Sequence, residues 1–84
     1  MTKLDDYRLE IEKIDKELFN LIAKRMAISS KIGEYKKEND LPIFDAQREK
    51  ELKEKNLLNV EEKYRFACGE VFELILKLSK DFQL

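Results

Sequence analysis

Apolar residues recur at alternating steps of three and four along the first half of the chain. Nine of the ten positions on this line are apolar: Leu4, Tyr7, Ile11, Ile14, Leu18, Leu21, Arg25, Ile28, Ile32 and Tyr35. The spacing predicts one amphipathic helix with a heptad seam over about residues 4–38. We expect Asp5 or Asp6 to cap its start. We expect residues 39–42 to stop it, because Pro42 disfavours helix at the residue before it.

Two further helices are predicted downstream. Asp45 can cap a short, charged helix over about residues 45–56, since its side chain can accept hydrogen bonds from the first turn. Asn56 and Asn59 mark a break. The same spacing then returns over about residues 60–83, at Tyr64, Cys68, Val71, Ile75, Leu78 and Phe82. With two Gly and one Pro in 84 residues, the predicted fold class is all-α, with a long, a short and a long helix.

The predicted first helix is too long for a compact domain of this size. A helix of about 33 residues measures ~50 Å, so its ends are expected to contact another chain. The apolar seams would bury best in a two-chain bundle. We therefore expect a single domain over residues 1–84 that forms an intertwined helical homodimer.

Charge and composition narrow the function classes. The 17 basic and 18 acidic residues are interleaved and give a net charge of −1, so general affinity for nucleic acid or an anionic membrane is not expected. One cysteine, Cys68, and no histidine argue against an intrachain disulfide and common zinc sites. No signal-peptide core or run of ~20 apolar residues is present, so a cytoplasmic location is expected.

Arg25 interrupts the apolar seam between Leu21 and Ile28. An unpaired charge buried there would cost several kcal/mol, so an anionic partner is expected. That partner could be a ligand or a glutamate of a neighbouring helix, or the arginine could extend to solvent at the edge of the bundle. Periodicity leaves these readings open.

Two other basic residues could act with Arg25. Lys36 lies three turns further on, ~16 Å along the axis and within roughly 20° of the same direction, so a small ligand could contact both. A solvated lysine at the negative end of the helix dipole is the alternative. Arg8 lies ~25 Å before Arg25 and can approach it only from the second chain of an antiparallel dimer. Otherwise it is an ordinary first-turn arginine.

Polar side chains also cluster on the other two helices. Asp45, Arg48 and Glu49 lie within one turn, where a helix cap with ordinary surface charges is the default explanation. Ser79 and Gln83 share a face near the end of the third helix. They could line a pocket or belong to a fraying end.

In this order, these residues resemble the all-helical chorismate mutase family over nearly the whole chain. The matching stretches are residues 8–15 (RLEIEKID), 21–25 (LIAKR), 31–36 (KIGEYK) and 41–49 (LPIFDAQRE), followed by Phe72, Ser79 and Gln83. The most specific part is the Arg-Glu pair shortly after Pro-Ile-x-Asp. The resemblance implies an isomerase that converts chorismate, a dianion, to prephenate by a Claisen rearrangement, in phenylalanine and tyrosine biosynthesis. It implies no cofactor and no covalent catalysis.

The resemblance also implies residue roles. Arg25 and Arg8 of the partner subunit would grip the two carboxylates of the substrate. Lys36 and Gln83 would donate to the ether oxygen as the C–O bond breaks.

The remaining roles concern the ring hydroxyl and a further contact to a carboxylate. Glu49 would accept from the ring hydroxyl, helped by the main chain near Asp45. Arg48 would orient the substrate near this hydroxyl, and Ser79 would contact one of the substrate carboxylates.

Two departures and two alternatives qualify this interpretation. The link at residues 55–61 is shorter than is usual in the family, and only Leu84 follows Gln83, so that turn is expected to fray until substrate binds. An isochorismate-pyruvate lyase on the same fold is one alternative, although Glu49 favours the mutase. A non-catalytic helical dimerisation or regulatory module is the other.

Overall fold

The computed structural model describes residues 2–84, and within them it contains three α-helices and no strand. Helix α1 spans Lys3–Glu38, α2 spans Ala46–Leu58 and α3 spans Glu62–Gln83. The predicted fold class, all-α with a long, a short and a long helix, is confirmed. Residue 1 of the predicted domain lies outside the described residues. No helix in residues 2–84 is both long and apolar enough to cross a membrane.

The start of α1 differs from the prediction. Its N-cap is Thr2, whose hydroxyl accepts from the main-chain N–H of Asp5 at 3.1 Å, while the Asp5 carboxylate accepts from the N–H of Thr2 at 3.2 Å. This reciprocal pair is a capping box. The prediction that Asp5 or Asp6 caps α1 was therefore wrong, because the capping hydroxyl belongs to Thr2, three residues before Asp5.

The other ends of α1 and α2 are set by short polar side chains in cap positions. Asn39 caps the end of α1, and Asp40 adopts φ 53°, in the left-handed region that aspartate tolerates. Asp45 caps α2 as predicted, accepting from the N–H of Arg48 at 3.0 Å. Helix α2 continues through Asn56 and ends at Leu58, so only the second of the two asparagines marks its end.

The face that joins α1 to α3 within the chain is not the predicted apolar seam. The residues buried there are Met26, Ser29 and Gly33 on α1, and Gly69, Leu76 and Ser79 on α3. Several are small, which lets the two helices approach closely. Most of the seam residues remain exposed, for example Ile14 and Leu21 at 61%, and Val71 and Phe82 at 53%.

Helix α1 extends well beyond the helices that pack on it. Its 36 residues measure about 54 Å, against about 33 Å for α3, and residues 6–21 are exposed throughout. The accessible surface is 7332 Å², whereas a compact monomer of 10.1 kDa would expose about 5,300 Å². The radius of gyration is 16.2 Å, against about 12 Å for a compact chain of this length. A single chain thus leaves an unusually large area uncovered.

Candidate active site

A cavity of about 420 Å³ lies between the C-terminal half of α1, the start of α2 and the end of α3. That volume is within the range of small-molecule sites. Seven of the eight predicted site residues line it: Arg25, Lys36, Asp45, Arg48, Glu49, Ser79 and Gln83. Apolar residues complete the wall: Ile28, Ile32, Ile43, Leu52 and Leu76. The structure therefore brings together residues that are up to 58 positions apart in the sequence.

Arg8 is the predicted site residue that the structure does not bring to the cavity. It lies exposed on the part of α1 that extends beyond α3. Its separation from Arg25 along the helix is about 25 Å. Within one chain the two arginines cannot contact one small ligand.

Lys36 and Gln83 form the link between α1 and the end of α3. The Lys36 ammonium donates to the Gln83 side-chain oxygen at 2.9 Å and to the main-chain oxygen of Ile43 at 2.8 Å. Because an ammonium can only donate, it fixes the Gln83 amide with its oxygen toward Lys36 and its NH₂ group free for another acceptor. The ammonium has three hydrogens, so one also remains. Two donors are thus held side by side at the cavity wall.

Arg25 is half-buried in the cavity wall, where its guanidinium carbon lies 5.7 Å from the centre of the Phe72 ring. No carboxylate within residues 2–84 forms an ion pair with it. Pairing with a glutamate of a neighbouring helix, one of the readings left open by the sequence, is therefore not seen within the described residues. A guanidinium stacked on an aromatic face keeps the N–H groups at its edge available for a planar anion such as a carboxylate.

Ser29 is a buried cavity residue that the sequence analysis missed. Its hydroxyl donates to the main-chain oxygen of Arg25 at 3.1 Å and lies 2.5 Å from the hydroxyl of Ser79. Either hydroxyl can be the donor within the Ser29–Ser79 pair. The spacing of Arg25, Ser29 and Lys36 on one helix face could have indicated this position.

Lys80 is a second cavity residue that the sequence analysis missed. Its ammonium lies 3.3 Å from a carboxylate oxygen of Glu49 and 4.5 Å from the centre of the Phe44 ring. No sequence signal singles it out, because lysines are frequent along α3. With Lys80 included, the cavity is lined by four basic side chains and two acidic ones, a net excess of two positive charges.

Gly33 allows the end of α3 to lie against α1. A Cβ at this position would be 2.6 Å from Cα of Gln83 and 2.7 Å from its carbonyl carbon. Both distances are far below van der Waals contact, so glycine is required for this approach. The turn that was expected to fray is held between this contact and the bond to Lys36.

Metal ligands do not cluster in residues 2–84. No group of three or more His, Cys, Asp or Glu side chains there could hold a metal ion. The polar groups at the cavity are instead hydrogen-bond donors and fixed charges, which suit a small anionic ligand.

Residues 7–84 match the family described as Chorismate mutase type II, and the chain belongs to that family. The resemblance inferred from the sequence is thereby confirmed. Enzymes of this family are isomerases, and the all-helical fold agrees with it.

Curated relatives carry the similar segment within longer proteins. A 49-residue stretch, 58% of this chain, is 43% identical to the T-protein of Haemophilus influenzae and covers 13% of that protein. A 57-residue stretch, 68% of this chain, is 40% identical to the bifunctional chorismate mutase/prephenate dehydratase of Aquifex aeolicus and covers 16% of it. The chorismate mutase of Methanocaldococcus jannaschii is 38% identical over 48 residues, 57% of this chain and 48% of that protein. The matched segments thus cover less than half of each of these relatives.

A solved structure matches over the full chain. The conserved hypothetical protein from Pyrococcus furiosus superposes with a TM-score of 0.82 and is 40% identical. The match covers 100% of this chain and 99% of that one.

Proposed function

We propose that this chain is a cofactor-free chorismate mutase that converts chorismate to prephenate for phenylalanine and tyrosine biosynthesis in the cytoplasm. Residues 1–84 would act as one catalytic domain, and two copies would form a homodimer. The observation that carries the proposal is that Lys36 and Gln83 are bonded to each other at the wall of a cavity with two excess positive charges, and that each keeps a further donor. Family membership supports the same chemistry.

Substrate binding would rest on the attraction between opposite charges. Chorismate carries two carboxylates, and the cavity of one chain carries a net excess of two positive charges. Arg25 would bind one carboxylate through a planar, bidentate contact, and Ser79 would contribute a hydroxyl contact. Arg8 of the partner subunit would bind the other carboxylate. Holding both ends would keep the flexible molecule in the bent conformation from which it reacts.

The chemical step would be an intramolecular rearrangement. The ether C–O bond breaks while a new C–C bond forms, so no proton transfer and no covalent bond to the protein are needed. Negative charge develops on the ether oxygen in the transition state. The remaining N–H of Lys36 and the NH₂ group of Gln83 would donate to that oxygen and stabilise the transition state more than the ground state.

The second helix would bind the ring hydroxyl. Glu49 lies at the cavity and would accept a hydrogen bond from that hydroxyl, together with main-chain groups near Asp45. The Asp45 side chain accepts from the N–H of Arg48, which supports a role in shaping this corner more than in direct binding. Arg48 would orient the same corner of the substrate.

The proposed homodimer would cover the apolar seams. A single chain exposes about 2,000 Å² more than expected for a compact monomer of its mass, and obligate dimers bury areas of this order on each chain. The seam residues of α1, including Ile14 and Leu21, lie in that exposed region. An antiparallel pairing about a two-fold axis would bring Arg8 of the partner subunit toward the cavity.

The proposal is tested by adding purified protein to chorismate and following the loss of chorismate absorbance and the formation of prephenate. Isochorismate is assayed in parallel, and sedimentation gives the subunit count. We expect prephenate from chorismate, no pyruvate from isochorismate, and a dimer. Pyruvate release from isochorismate would favour the lyase alternative. A dimer with neither activity would favour a non-catalytic dimerisation module.

A further inference from the structure

Lys80 occupies the boundary between the cavity and the outer surface of α3. It lines the cavity and also lines a wider groove between α2 and α3, and Glu49 does the same. The two side chains meet at 3.3 Å. We propose that Lys80 is a positioning residue that holds the Glu49 carboxylate toward the cavity, where it binds the substrate hydroxyl. This inference rests on the function proposed above.

The Lys80–Glu49 pair has a better shielded carboxylate than the Lys53–Glu73 pair, while the two lysines are similarly exposed, at 36% and 32%. The Glu49 side chain is 22% exposed, whereas Glu73, which pairs with Lys53, is 59% exposed. Shielding from water strengthens an ion pair and reduces its sensitivity to salt. Lys80 is itself held by the ring of Phe44, 4.5 Å from its ammonium. The cation is therefore fixed on one side by an aromatic ring and on the other by the carboxylate.

Glu49 has a competing partner that would turn it away from the cavity. Lys53 lies four residues further along α2, at the spacing at which a glutamate and a lysine pair on a helix. In the structure Lys53 is instead bound to Glu73 at 2.7 Å. Lys80 and Glu73 thus separate the two α2 side chains. Without Lys80, Glu49 would be free to swing toward Lys53 in the outer groove.

The test is a double-mutant cycle on chorismate turnover with Lys80→Met, Glu49→Gln and the double variant. We expect Lys80→Met to lower kcat/KM about tenfold, mainly through a higher KM, because the hydroxyl contact is made in both the ground state and the transition state. In the Glu49→Gln background, Lys80→Met should lower kcat/KM clearly less than it does in the unaltered protein, leaving only the smaller loss due to one positive charge fewer at the cavity. Lys80→Arg, which keeps the charge and can still reach Glu49, should restore most of the loss.

Lys77→Met is the matched control, since Lys77 lies one turn before Lys80 and lines the outer groove but not the cavity. It removes the same charge and should leave kcat/KM unchanged. Circular dichroism of each variant checks that the helices are intact. Additive losses in the cycle, or an equal loss in Lys77→Met, would overturn the inference while the unaltered protein still converts chorismate. If the unaltered protein does not convert chorismate, the proposed function fails and the inference fails with it.

Discussion

The main chain of Gln83 lies directly against Gly33, and this contact sets where α3 ends relative to α1. A Cβ at position 33 would lie 2.6 Å from the Gln83 Cα. One turn further along α1, Lys36 binds the side-chain oxygen of the same glutamine. Two residues therefore position the proposed donor amide of Gln83. Gly33 leaves space for its main chain, and Lys36 binds its side-chain oxygen.

Gly33→Ala is expected to displace the last turn of α3 and to lower activity strongly. The added methyl group meets main-chain atoms of Gln83, which cannot move without moving the turn. Chorismate turnover and urea unfolding would be measured together. We expect the loss of kcat to exceed what the fall in stability explains.

Gly69→Ala is the matched control for that change. A Cβ there would meet only the Lys53 side chain, at 3.5 Å, which is ordinary contact. Alanine is also a better helix former than glycine, by about 0.5–1 kcal/mol. We expect an equally active and slightly more stable protein. If Gly33→Ala behaved in the same way, the proposed role of the Gly33 contact would be wrong.

Arg25→Ala is expected to abolish most of the turnover while leaving the fold largely intact. Within the chain, the guanidinium packs on Phe72 and forms no ion pair in residues 2–84, so its removal leaves no orphaned carboxylate. We expect kcat/KM to fall by at least about 100-fold, the order seen when a strong oriented charge contact is lost. The measurement is chorismate turnover, with urea unfolding as the check on stability.

Arg25→Lys separates the charge of this side chain from its geometry. Lysine keeps the positive charge but cannot make a planar, two-point contact with a carboxylate. We expect it to recover only a small part of the lost kcat/KM. Turnover of Arg25→Ala at the unaltered rate would remove Arg25 from the proposed mechanism.

The amide of Gln83 is expected to keep the protein active across neutral pH, because an amide donates without first being protonated. Gln83→Glu should change this. A carboxylic acid donates only when protonated, and its ordinary pKa is about 4.3. The positive charge of Lys36 next to it would favour the ionised carboxylate further. Activity of the variant should therefore rise toward acidic pH and be nearly lost at pH 7.

The measurement for this prediction is kcat/KM from pH 4.5 to 8 for both proteins. A profile that stays nearly flat for the unaltered protein, with a strong acid preference for Gln83→Glu, would support the proposed donor role. A sharp loss of activity between pH 5 and 7 in the unaltered protein would contradict it.

The helices could be predicted because apolar periodicity is a strong signal over long segments. The same periodicity did not indicate which helix faces pack against each other within the chain. The apolar line through Ile14 and Leu21 is the exposed one, whereas the intrachain contact relies on Ser29, Gly33 and Ser79. Small residues carry little hydropathy signal, so the contact they make becomes visible only in three dimensions.

The candidate site was predicted in part for a related reason. Residues with motif spacing, such as Arg25 and Lys36, could be selected from the sequence and do line the cavity. Lys80 could not be selected, because its importance depends on a carboxylate 31 positions away that only the packing of α2 on α3 brings within 3.3 Å. Arg8 does not reach the cavity of its own chain, and its role remains a prediction.

Subunit mixing tests the central claim most directly, namely that one site takes Arg25 from one chain and Arg8 from the other. Arg8→Ala and Arg25→Ala proteins, each nearly inactive alone, would be mixed in equal amounts, unfolded together in urea and refolded. Half of the dimers would then be mixed, and one of the two sites in each would have both arginines, so about a quarter of the unaltered activity should return. If the mixture stays as inactive as its components although sedimentation and mass spectrometry show that mixed dimers have formed, the site is not shared between chains and the account is contradicted.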